Sequence, residues 1–124
     1  MSPQTVSAFK QSVRAAKLDP MPLDASQVIS GNPQASGAIL WKSPDGKHCN
    51  GIWECTPGVF DYTHTDETAT LVAGRVTVTP QGGEALELGP GDVAFFPEGS
   101  TTRWEVHETV RKSFHLHAAD GLPF

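Results

Sequence analysis

From Asn50 to Gly99 the chain alternates short stretches of period-two polarity with turn residues at nearly regular intervals, the pattern of a small β-barrel. In the segment that opens at Glu67, the residues Glu67, Ala69 and Leu71 share one face and Thr68, Thr70 and Val72 the other, because successive strand side chains point to opposite sides. Gly74 is read as a turn into Arg75–Thr79, where Val76 and Val78 take the inner face. Gln81-Gly82-Gly83 signals a hairpin, and Gly89-Pro90-Gly91-Asp92 punctuates the strand after it. Upstream, Ala38 to Lys42 reads as a strand, Ser43-Pro44-Asp45-Gly46 as a tight turn, and His48 to Cys55 as the strand returning from it.

The same parity places side chains nearer the C-terminus. Thr102, Trp104 and Val106 share a face, with Arg103, Glu105 and His107 on the reverse. In the last strand Val110, Lys112, Phe114 and Leu116 form the apolar face, while Arg111, Ser113, His115 and His117 point outward. A lysine on an apolar face is notable, since a buried ammonium is costly unless a partner compensates it; the alternative is an ammonium that snorkels past the barrel edge to water. The N-terminal stretch is different in kind. Met1 to Leu18 carries Val6, Phe9 and Val13 at helix-like spacing between Ser2-Pro3 and Asp19-Pro20, which predicts a short helix or, equally, an extended arm. Met21 to Ser36, rich in Pro, Gly, Ser and Asn, reads as a linker with little internal structure. The expected organisation is therefore an arm and linker over 1–36 and an all-β barrel over 37–124.

A chain of 124 residues forms one domain. Its formal net charge of -5 argues against a nucleic-acid partner. No apolar run is long enough to cross a bilayer, and the N-terminus lacks the basic-then-apolar layout of a secretion signal, so a cytoplasmic protein without a membrane partner is expected. Cys49 and Cys55 lack CxxC spacing and are read as two reduced thiols.

The segments GIWECTPGVF, Glu67 to Gly74, GPGDVAFFPEG and WEVHETVRKSF together resemble the small single-domain cupins of the uncharacterised "cupin 3" family, within the RmlC-like cupin superfamily. The resemblance covers roughly Ile39 to Leu116 and implies a jelly-roll β-barrel, often dimeric, related to the cupin halves of ureidoglycine aminohydrolases and to ethanolamine-utilisation proteins. It implies no particular reaction. The first cupin motif asks for a His-x-His pair, a Glu, and a Gly seven positions later. Glu67 and Gly74 match, but the positions for the pair, Asp61 and Thr63 or Phe60 and Tyr62, hold no histidine, and His64 is out of register. The second motif maps onto Gly91, Pro97, Gly99, Thr102 and Val106, which puts threonine where the third histidine belongs. With only Glu67 in register, a site needing three or four N, O or S ligands is degenerate, and no cofactor is expected. A divalent metal held through His64 and Glu67 is the weaker alternative.

These residues define the candidate site. Glu67 and Lys112 are expected to meet as an internal ion pair in which the lysine serves as a fixed cation, with Tyr62, His64, Thr102, Trp104 and Trp53 around a ligand. Two functional readings follow. One is a non-catalytic module, a homodimer, binding a small polar or carboxylate-bearing metabolite. The other is an enzyme on such a metabolite, in which Glu67 moves a proton and Lys112 stabilises developing charge. His115 and His117 are alternate strand residues and tempt as a metal pair, but read as solvated; Cys55 reads as a buried structural thiol.

Overall fold

The computed structural model describes residues 7–124 and is nearly all β. Nine strands lie among the described residues: β1 Asp19–Pro20, β2 Val28–Gly31, β3 Ala35–Lys42, β4 His48–Cys55, β5 Gly58–Thr63, β6 Asp66–Pro80, β7 Leu86–Leu88, β8 Val93–Phe96 and β9 Thr101–His117. β9 is the spine. β6 runs antiparallel along one edge of it from Asp66↔His117 to Pro80↔Thr102. Its other edge is shared: β4 pairs with residues 110–117 and β5 with residues 101–106. β3 and β1 extend the sheet beyond β4, β2 extends it beyond β5, and β8 and β7 line successive parts of the free edge of β6.

Because β6 and β9 belong to both halves, the sheet curls and its inner faces meet, as in a jelly roll. One core cluster draws Leu71, Ala94 and Val110 from the first half and Val76, Phe60, Trp104 and Val106 from the second. The alternation read from the sequence holds on both long strands: Glu67, Ala69 and Leu71 are buried, as are Thr102, Trp104, Val106, Val110, Lys112, Phe114 and Leu116. Burying each large apolar side chain contributes roughly 1.5–3 kcal/mol.

Gly74 does not reverse the chain. β6 passes through it unbroken, with φ of +86°, while the register against β9 shifts at several points between Leu71 and Val76. A Cβ at Gly74 would collide with the Thr109 carbonyl. The glycine therefore makes a bulge where the strand bends from one half of the sheet to the other, not the expected turn; a bulge and a tight turn place the same demand on φ.

The N-terminal expectations also need correction. Residues 7–18 hold no helix and form the extended alternative, with one helical-type bond, Ala16 N–H to the Ser12 carbonyl at 3.0 Å; Ser2-Pro3 and Val6 lie outside the described residues. Arg111 secures this arm to the sheet: its Nε donates to the Val13 carbonyl at 2.7 Å and Nη2 to that of Ala16 at 2.5 Å, while Nη1 meets Glu54 at 3.1 Å. The stretch 21–36 is not a structureless linker. Asp24 caps a 3₁₀ turn, Ala25–Gln27, through Ser26 N–H at 3.1 Å, and Gln27 returns a bond to Asp24 N–H at 2.8 Å. β2 then covers the edge of β5, and β1 covers β3. The expected boundary after residue 36 falls inside β3, so the segment is part of the barrel. Turn residues mark where the chain bends, but not that the pieces between them pair with edges that would otherwise stay open.

Candidate functional site

Glu67 enters from the start of β6 and Lys112 from the neighbouring strand β9, with Ala69↔Phe114 on the rung between their own partners. Their side chains run along the inner face of one half of the sheet, not across the barrel, and meet with Lys112 Nζ 2.5 Å from Glu67 Oε2. Both are buried. The loop between β5 and β6 supplies His64, whose Nδ1 lies 3.2 Å from Glu67 Oε1 and whose Nε2 lies 2.7 Å from Thr102 Oγ1. Trp104 Nε1 donates to the same Thr102 oxygen at 2.9 Å.

The donors and acceptors in this chain can be counted. An ionised carboxylate only accepts and an indole N–H only donates. His64 Nδ1–H therefore donates to Glu67, and Thr102 Oγ1, which accepts from Trp104, also shares a hydrogen bond with His64 Nε2. With Lys112 on the second carboxylate oxygen, the row runs unbroken from Trp104 through Thr102, His64 and Glu67 to Lys112. Burial raises the pKa of Glu67, but the Lys112 charge and the hydrogen bonds from His64 and Lys112 outweigh it and hold the carboxyl at about 2. The Lys112 ammonium sits 4.7 Å from the ring centroids of both Trp53 and Trp104, a cation–π arrangement on two sides.

The ion pair forms part of the wall of a cavity of about 490 Å³, in the size range of small-molecule sites. Of the residues expected around a ligand, Trp53, Tyr62 and Trp104 line it beside Glu67 and Lys112. His64 and Thr102 do not; they stand behind the wall, where their bonds hold Glu67 and Trp104. His64 is further fixed by stacking on Phe96, with centroids 4.4 Å apart. Parity missed the mouth: Met21, Leu23 and Gln27 arrive from the supposed linker, and Phe124 from the far end of the chain. No period-two signal reaches such residues.

The pattern described as the EutQ-like cupin domain matches residues 42–114, more than half of the chain. The chain belongs to this cupin family. A protein of unknown function of the DUF861 family from Pseudomonas syringae is similar at 30% identity and a TM-score of 0.75, over 83% of this cupin and 45% of that chain. The cupin thus spans less than half the length of that relative. A DUF861 protein from Thermotoga maritima is 31% identical with a TM-score of 0.52, over 64% of this chain and 98% of its own. A putative ethanolamine utilization protein Q from Salmonella typhimurium is 25% identical with a TM-score of 0.61, over 69% of this chain and 71% of that one. No curated protein matches.

Many cupins hold a metal where Glu67 lies, and the residues present do not fit one. Both oxygens of Glu67 already carry a donor, threonine stands at a ligand position, and no group of three or more His, Cys, Asp or Glu among the described residues is placed to hold an ion. His115 and His117 face outward, as parity requires, and the pairing of β4 with β9 sets His48 opposite His117, where the two rings stack with centroids 4.5 Å apart. His48 carried no sequence signal; only the register joins it to the pair. Cys49 and Cys55 are free and buried, and burial pushes the Cys55 thiol up to about 11, which disfavours its thiolate at neutral pH.

Proposed function

We propose that the chain is a small-molecule-binding cupin in which an internal ion pair, Glu67 with Lys112, stands in for the metal. The observation that carries this is the pair itself, buried, closed by His64 and set in the wall of an otherwise apolar cavity. A buried pair adds little stability over an apolar replacement, so a cavity that keeps one suggests use of its charges. The enzymatic alternative has less support. A general base works best with a pKa near the working pH, and a carboxyl held at about 2 is a poor one. Likeness to a putative ethanolamine utilization protein favours an accessory role in the use of a small metabolite.

Trp53 and Trp104 line the cavity, so an occupant should change tryptophan emission. The test screens small molecules for paired shifts in emission and melting temperature, in the parent and in the double variant Glu67→Gln/Lys112→Met. Molecules active on the parent and silent on the variant support the reading; equal responses in both would remove the pair from recognition. Elemental analysis after dialysis should find metal well below one per chain, and a stoichiometric barrel metal lost in Glu67→Gln would overturn the substitution of metal by lysine.

A homodimer is proposed on separate grounds. β8 is an edge strand whose outward side chains, Val93 and Phe95, are 65% and 59% exposed. A two-fold contact sets an apolar patch against its own copy, which covers side chains and edge together.

A further inference from the structure

The charges of the Glu67–Lys112 pair cancel, and Lys112 and Tyr62 bring donors to the cavity wall that the described residues leave unused. We propose that the occupant is an uncharged small molecule with a largely apolar body and one hydrogen-bond acceptor, a ketone, ester or amide carbonyl, seated against Lys112 and Tyr62. This rests on the reading of the cavity as a binding site and replaces the carboxylate expected from the sequence.

Glu67 and Lys112 form a neutral unit, with one donor on each carboxylate oxygen, His64 on Oε1 and Lys112 on Oε2. A second carboxylate would leave a net negative charge in an apolar enclosure, close to the one already there, which burial penalises heavily. A free ammonium would bring a second positive charge beside Lys112, whose own charge already neutralises Glu67. An uncharged acceptor meets neither obstacle.

The inventory of donors points the same way. Lys112 has three N–H groups; one goes to Glu67, and around the rest of the ammonium lie the faces of Trp53 and Trp104. Tyr62, on the same cavity wall, makes no hydrogen bond to the described residues, and burial followed by the Glu67 charge raises its pKa, so its hydroxyl stays a donor at neutral pH. Gln27 turns its amide to Asp24 N–H and the Asp61 carbonyl, and Trp53, Phe60, Trp104, Phe114 and Leu116 offer aromatic and aliphatic surface. Such walls reward an apolar body of matching shape.

The experiment compares four probes of nearly one shape by tryptophan fluorescence titration of the full chain at neutral pH: benzylacetone, hydrocinnamamide, hydrocinnamate and isopentylbenzene. The two carbonyl probes should bind about tenfold tighter than the hydrocarbon, as one or two net hydrogen bonds allow, and tighter than the carboxylate. Hydrocinnamate should gain affinity as the pH falls towards its own pKa, since only its neutral acid is admitted. Tyr62→Phe should weaken the carbonyl probes roughly threefold to tenfold and leave isopentylbenzene unchanged. Tighter binding of hydrocinnamate at neutral pH, or equal binding of hydrocarbon and ketone, overturns this ligand class while the cavity remains a binding site. If none of the four binds and none displaces a hydrophobic dye, the binding-site reading itself falls.

Discussion

At Glu67 burial pulls the carboxyl one way and its partners pull it the other, and the partners prevail. The consequence for stability has a definite sign. A carboxyl at about 2 in the folded chain, against an ordinary value of 4.5, contributes stability that is complete above the ordinary value and is lost as the pH falls through the folded one. Unfolding free energy should thus hold between neutral pH and about pH 5 and then drop towards pH 2, and in Glu67→Gln that part of the drop should be absent. Chemical denaturation across the pH range checks it; an unchanged acid limb in the variant would show that the pair is not what titrates. Removing one partner strands the other, so Lys112→Met should cost about 3–5 kcal/mol, whereas Glu67→Gln/Lys112→Met together should cost less than Lys112→Met alone. A loss of about 1 kcal/mol or less for Lys112→Met would mark the pair as solvent-screened. Parity made both residues inner-facing in the sequence; the closeness of His64 to Glu67 was legible, but its bond to Thr102 was not, because that depends on how the loop after β5 folds back over β9.

Among the elements, β6 and β9 set the architecture, since each serves both halves of the sheet. Their inner and outer faces were readable because alternation survives any curvature that keeps the strand paired. Their continuity was not, since a bulge and a turn are written in the same residue. Gly74→Ala tests the assignment: a positive φ and a close Thr109 carbonyl allow no Cβ without movement of the backbone, and strain of this kind costs about 1–3 kcal/mol. The variant should melt lower, and the damage should extend to the site, because the bend sets how the Glu67 end of β6 faces the Trp104 end of β9. By contrast, Gly82→Ala, also at positive φ but with open space around it, should lose less. Equal losses at both positions would refute the role given to the close approach at Gly74.

For the molecule as a whole, the exposed pair on β8 bears on assembly. Light scattering at micromolar concentration should give twice the chain mass, and Phe95→Lys should shift it towards the single chain without changing the fold. A parent that is monomeric at that concentration would remove the dimer. The Arg111 contacts hold the arm against the sheet of its own chain.

What the sequence determined by itself is local: strand alternation, the positions that demand a glycine, and the place of Lys112 on an apolar face. Those follow from covalent periodicity and from the chemistry of single side chains, which the chain carries before it folds. Only the tertiary structure decided which inner-facing residues meet. It brought Glu67, Lys112 and His64 into one network, set His48 against His117 through strand register, and closed the cavity with Met21, Leu23 and Phe124 from opposite ends of the chain. Contacts between residues distant in sequence depend on how far a sheet curls and on which edge a segment covers, and these are set by packing of the whole molecule.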